Sequence, residues 1–178
     1  MTGQAAVQGV ARHMVAAALV TAGALDVLAR AQPSPGCQPV PGTTLEQFYP
    51  VMPGWTRGRP TSETDAPEKV ARTTVDFDRD VSTISVELMD SCGNPDVLRL
   101  IREALNQFPP GGRGTTQRHT TVNGFPAYEE YTAESAHGEI HVLVADRFMV
   151  KVTGDTIDLP AVQHAARLVP MPKLAALK

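Results

Sequence analysis

Two stretches in the first half of the chain alternate apolar and polar residues with a period of two. In "EKVARTTVDF" (Glu68 to Phe77), Ala71, Thr73, Val75 and Phe77 fall on one side. In "VSTISVELMD" (Val81 to Asp90), Ile84, Val86 and Leu88 oppose Ser85, Glu87 and Met89. Successive side chains of an extended chain point to opposite faces, so this period with β-branched residues predicts strands. "DRD" (Asp78 to Asp80) joins them into a predicted hairpin. The period then changes. In "GNPDVLRLIREALNQFPPGG", Val97, Ile101, Ala104, Leu105 and Phe108 recur at helical spacing. Asn94 can accept from the free N–H groups of the first turn, and Pro95 suits the first helical position. Pro109, Pro110 and Gly111 end the helix.

"TQRHTTV", the turn "NGFP", "AYEEYT", "EIHVLV" and "RFMVKVTG" read as four further strands. "LPAVQHAARLV" reads as a short helix with Asp158 near its start, before a tail "MPKLAALK". At the other end, "TTLEQFYPVMPGW" starts a short helix at Thr43 or Thr44 that Pro50 ends. Hairpin-linked strands with a few helices predict an α+β fold: an antiparallel sheet of about six strands with helices packed on its faces.

In "HGEIHVLVADRFMVKV", His137, Glu139 and His141 share one strand face, and Ile140, Val142 and Val144 the other. An odd loop, Ala145-Asp146-Arg147, keeps the faces in phase. It sets Val144 against Phe148, Val142 against Val150 and His141 against Lys151. The apolar face then builds the core and the histidines point the other way.

The N-terminus departs from these patterns. A polar start with Arg12 and His13 precedes an apolar run, Met14 to Ala29, and then Ala29-Arg30-Ala31. This is the layout of a secretory signal cleaved after Ala31, although Asp26 is atypical of one. The run is shorter than the ~20 residues needed to span a bilayer, and Asp26 would be costly there, so no membrane span is expected in the mature chain. The "SPGC" around Cys37 lacks the apolar residue expected before a lipid-bearing cysteine. The expected organisation is a signal peptide over 1–31, a Pro-rich tether over 32–43 and a single α+β domain over 44–178. In an exported protein Cys37 and Cys92 are candidates for a disulfide clipping tether to domain. Spacing does not show that the sulfurs meet; a Cys-based metal or redox site is the rival, without a C-x-x-C.

The net charge of the whole chain is -3. Cleavage would remove two positive charges and one negative, leaving the mature chain one unit more acidic. No basic stripe interleaves with aromatics, which argues against nucleic acid.

"GFPAYEEY", "GEIHVLVADRFMVKVTG" and "DLPAVQHAARLVPMPKLAAL" resemble a group of uncharacterised exported bacterial proteins, and "LEQFYPVMPGW" is similar to that group's opening. The resemblance spans roughly Leu45 to Leu177 and implies a PsbP/Mog1-like α/β/α sandwich. It implies no activity and no functional residues.

Chemistry is sparse. His137 and His141 could hold a metal, but on a strand their Cα atoms stand about 13 Å apart. Asp76, Asp78, Asp80 and Glu87 match four positions of a calcium loop. Val81 stands where that loop needs Gly, and an acidic hairpin tip explains them as well. "PPGGRG" lacks a phosphate loop's ending, and there is no G-x-S-x-G or Ser-x-x-Lys. Cys92 with His119 or His141 could form a nucleophile pair, but a disulfide would take the same sulfur. Glu129 and Glu130 lie on opposite strand faces, and Trp55 reads as a core or rim aromatic. The sequence therefore favours a periplasmic or secreted, non-catalytic binding or accessory domain of the envelope. No cofactor is implied, and the partner would be an envelope protein or a small ligand. A metal-binding protein or small hydrolase using His119, His137, His141 or the Asp76–Asp80 tip is the alternative.

Overall fold

A computed structural model describes residues 36–106 and 114–177. The expected signal segment, the first part of the expected tether, Phe108 and the "PPGGR" part of the loop lie outside the described residues. Helix α1 (Gly42–Leu45) runs into a 3-10 turn (Glu46–Phe48). Strands β1 (Thr56–Arg57), β2 (Thr61–Asp65), β3 (Val70–Arg79) and β4 (Ser82–Asp90) follow, then α2 (Pro95–Asn106). The second half holds β5 (Thr115–Val122), β6 (Phe125–Thr132), β7 (His137–Val144), β8 (Phe148–Asp155), α3 (Leu159–Leu168) and α4 (Met171–Ala175).

All strands join one eight-stranded antiparallel sheet in the order β1-β3-β4-β8-β7-β6-β5, with β2 also on β3. The sheet thus has eight strands rather than about six. The two extra ones, β1 and β2, are exposed throughout and carry no apolar alternation. They form because β3 offers them a free edge. The β3–β4 connection is also tighter than "DRD": Arg79 pairs with Ser82, leaving a two-residue turn, Asp80-Val81, with Asp80 at φ 54°. The β7–β8 register is the expected one, with Val144 on Phe148, Val142 on Val150 and His141 on Lys151.

One face of the sheet is dry. Val75, Phe77, Ile84, Val86, Leu88, Ile140, Val142, Phe148 and Val150 are all buried there, against Leu45 of α1, Val162 and Ala165 of α3, and Met171 and Leu174 of α4. Close approach is built in. A Cβ on Gly42 would lie 2.8 Å from Ser62 Cβ and 2.9 Å from the Arg72 carbonyl oxygen. On Gly154 it would collide with Val162 of α3. α2 covers part of the other face, seating Leu98, Ile101 and Leu105 on Met89, Tyr128 and Leu143. The buried stripe of α2 is thus rotated from the expected one: Leu98 is inside, Val97 is half-buried and Ala104 is exposed. Asn94 does cap α2, accepting from Asp96 N at 3.0 Å and Val97 N at 3.3 Å, and Asp158 caps α3 through Ala161 N.

Cys37 and Cys92 form a disulfide, with Cα atoms 5.9 Å apart and 55 positions of chain between them. In the chain-entropy account a loop of that length is worth about 4 kcal/mol. Beside it Asp90, with no solvent exposure, accepts from four donors. These are Cys92 N (2.7 Å), Val40 N (2.8 Å), Arg147 Nε (2.9 Å) and the second guanidinium nitrogen (2.7 Å). The Arg147 carbonyl in turn accepts from Ser91 N and Ser91 Oγ. Removing one partner of a buried ion pair strands the other. Asp90→Ala is therefore expected to cost ~3–5 kcal/mol in urea unfolding, and Asp90→Ala/Arg147→Ala less than the sum of the single changes.

Candidate functional site

α2 covers only part of its sheet face, over Met89, Tyr128 and Leu143. Antiparallel pairing places side chains there in rows across the strands. One row runs Thr74, Glu87, Lys151, His141, Tyr128, His119, and the next Asp76, Ser85, Thr153, Glu139, Glu130, Gln117. The polar positions that alternate with the core in each strand therefore converge on one surface. "HGEIH" contributes its centre.

Glu139 sits in the middle. Its Oε2 lies 2.9 Å from His141 Nε2 and 3.1 Å from Lys151 Nζ, and its Oε1 lies 3.5 Å from His137 Nε2. His137 Nδ1 is 2.7 Å from Asp155 Oδ1. The two histidines stand on either side of one carboxylate, which spans the gap that the extended strand opens between them. The His141 hydrogen bond, followed by Lys151, holds the Glu139 carboxyl down to about 2 against the opposing effect of burial. Next to it Tyr128 OH donates to Glu130, and Gln117 Nε2 donates to the same oxygen at 2.8 Å. Burial first, then the Glu130 carboxylate, pushes the Tyr128 hydroxyl up, so it stays a donor. On the far side Arg72 pairs with Glu63 at 3.2 Å and Glu87 at 3.3 Å, beside a shallow cavity of ≈ 300 Å³ lined by Thr61, Ser62 and Thr74 as well.

The other sequence candidates stay apart from this centre. Asp76, Asp78 and Asp80 are exposed and strung along β3 and its turn, with Asp78 accepting from Thr83 Oγ1 at 2.8 Å. Residues two apart on a strand stand about 6–7 Å from one another, so these carboxylates do not wrap one point. Among the described residues no group of three or more His, Cys, Asp or Glu is arranged to hold a metal ion. His119 lines a second cavity of ≈ 480 Å³ between β5 and the C-terminal end of α2, with Arg102, Leu143 and Asp146. The disulfide takes the Cys92 sulfur, so it forms no nucleophile pair with His119 or His141 in this structure. Glu129 and Glu130 do lie on opposite faces. Glu129 is buried, paired with Arg118 and bonded by Gln163 Nε2 at 3.0 Å. Trp55 packs at the rim of the dry core, with Arg79 over its ring at 4.4 Å.

No protein-family model, curated protein or solved structure matches the chain.

The Glu139 network sets a pH dependence. Its folded pKa lies below the ordinary glutamate value of 4.5, so its contribution is present above about pH 4.5 and is lost as pH falls towards about 2. Glu139→Gln is expected to lose on the order of 2 kcal/mol at neutral pH, with the difference from the parent shrinking to near zero by about pH 2. Urea unfolding at several pH values measures it; a difference that does not change with pH would contradict it.

Proposed function

We propose that this chain is an exported, non-catalytic binding domain of the bacterial cell envelope, with a sandwich of the PsbP/Mog1 type. The observation that carries export is the Cys37–Cys92 disulfide, because such bonds persist in oxidising compartments and are rare in the cytosol. It fits the signal-like N-terminus, and among the described residues no helix is long and apolar enough to cross a membrane. Helices on both faces of the sheet are consistent with the sandwich.

Recognition rather than turnover is supported by the part of the sheet face that α2 leaves open. Its central carboxylate is held ionised at neutral pH by His141 and Lys151, whereas a general acid needs a pKa raised towards the working pH. The face offers fixed donors and acceptors across several strands, as a complementary surface requires. The partner class is an envelope protein or a small polar ligand.

One observation favours a metal-binding reading: His137 carries a carboxylate on Nδ1 and turns Nε2 towards Glu139, the arrangement that orients ligating histidines. Melting curves with Zn²⁺, Cu²⁺ and Ca²⁺ separate the two. The binding reading expects no shift. A rise that disappears in His137→Ala/His141→Ala would replace it with the metal reading.

Export has its own test. Intact-mass measurement of the protein from its native cells is expected to show a chain starting at Gln32 with both thiols oxidised. A chain starting at Met1 with free thiols in the cytoplasm would contradict it.

A further inference from the structure

The β2–β3 end of the same sheet face carries a cluster that neither the core nor the Glu139 network uses. Register places Thr61, Thr74 and Glu87 in one row across β2, β3 and β4, and Glu63, Arg72 and Met89 in the next. Neighbouring strands stand about 4.8 Å apart, so hydroxyl, carboxylate and guanidinium groups gather within one small area. β2 adds nothing to the core, since all of its residues are exposed. What it brings to this face is the side chains of Thr61 and Glu63. The two rows frame the cavity of ≈ 300 Å³, and Glu63 and Arg72 also line a second hollow of ≈ 260 Å³, to which Val70 and Val97 give an apolar wall. Each is near the lower limit of ligand-sized pockets, about 300 Å³.

The hydrogen-bonding capacity of this cluster is largely unspent. Arg72 has five N–H donors in a fixed fork. One goes to Glu63 Oε1 at 3.2 Å and one to the weakly accepting sulfur of Met89 at 3.8 Å. Its Nε is buried and lies 3.3 Å from Glu87 Oε1, yet makes no hydrogen bond. Glu87 is thus held by charge alone, and its oxygens accept no hydrogen bond among the described residues. The Thr61 and Thr74 hydroxyls make none there either. The Arg72 and Glu63 side chains stay open to solvent.

Charge narrows the ligand class. A single guanidinium between two carboxylates leaves the cluster net negative. Lys151, opposite Glu87 by register, is turned to Glu139 at 3.1 Å instead. A phosphate or carboxylate ligand would meet two like charges, and a metal ion would meet the guanidinium between its two carboxylates. An uncharged ligand whose groups both donate and accept fits. Hydroxyls do both. Two hydroxyls on adjacent carbons hold their oxygens close enough for one carboxylate, or one edge of a guanidinium, to bond to both. We propose that the Arg72 cluster binds a neutral saccharide, with Glu63 and Glu87 accepting from neighbouring hydroxyls and Arg72 donating to them. The second hollow gives room for a second ring, so the ligand is a disaccharide or a longer glycan. This rests on the binding reading of the face and narrows its small polar ligand to one chemistry. No aromatic ring lines either hollow, so the affinity is weak, roughly millimolar.

Heteronuclear NMR of the full chain, with its disulfide intact, tests this by titration with cellobiose, maltose and N,N′-diacetylchitobiose. At least one of these neutral sugars is expected to give saturable shifts below ~50 mM at the Arg72 Nε–H and at the Thr61, Glu63 and Thr74 amides. Arg72→Lys keeps the charge but loses the fork, and Glu87→Gln removes a charged acceptor; each is expected to weaken that binding at least ~tenfold. Inorganic phosphate is expected to leave the same signals unmoved. No saturable shift there with any of the three sugars, equal shifts with phosphate, or an affinity unchanged in both variants would overturn the saccharide site. The broader binding reading fails separately, through a metal-induced rise in melting temperature that depends on His137 and His141, and neither residue enters this titration.

Discussion

The buried carboxylate of Asp90 is the constraint on which the assembly of this domain depends. It ends β4 at the centre of the sheet, shielded from water, and an unpaired charge there would be prohibitive. It is satisfied by the adjoining turn at Cys92 and by two segments remote in sequence, the backbone of Val40 and the guanidinium of Arg147 in the β7–β8 loop. The disulfide lies one turn away and holds two of the same three. One corner thereby joins the N-terminal strap, the first set of strands and the last hairpin. The β4–β8 ladder, which unites the two halves of the sheet, begins where Asp90 pairs with Phe148.

From that corner the two faces of the sheet diverge. The inner face is apolar under α1, α3 and α4 apart from the buried and partnered Thr73, Asp90 and Glu129. The outer face is apolar only where α2 lies on it, and polar beyond. His141 and Leu143, two residues apart on β7, stand at this boundary: Leu143 goes under the helix and His141 faces the open part. The Glu139 network is thus the uncovered remainder of a face whose other part is core. There pairing across β7 and β8 with His141 and Lys151 holds the Glu139 carboxyl low, while burial and then the Glu130 carboxylate push the neighbouring Tyr128 hydroxyl up.

The sequence made local patterns legible and remote partners not. The strands from β3 onward follow from alternation, and the β7–β8 register from an odd loop between two apolar faces. β1 and β2 carry no alternation, since they exist only as additions to an edge. The stripe of α2 was misplaced because Ala104 counts as apolar yet is small enough to stay outside, while Leu98 carries the burial. Asp90 could not be found by pattern, because Val40 and Arg147 lie 50 and 57 residues away. The candidate pair Cys37 and Cys92 was visible, but only the fold shows that the sulfurs meet. For "HGEIH", the extended-strand distance argument holds for the two histidines taken alone, and the carboxylate between them makes the bridge.

Hydrogen exchange at the Val40 amide tests the corner most directly, because that N–H donates to the Asp90 carboxylate that Arg147 also bonds. If one buried charge cluster holds the strap and the last hairpin together, Arg147→Ala speeds Val40 exchange while amides in the middle of the β4–β8 ladder keep their protection. Unchanged exchange at Val40 in that variant would show that the strap is held independently of the ion pair, and would contradict the common corner.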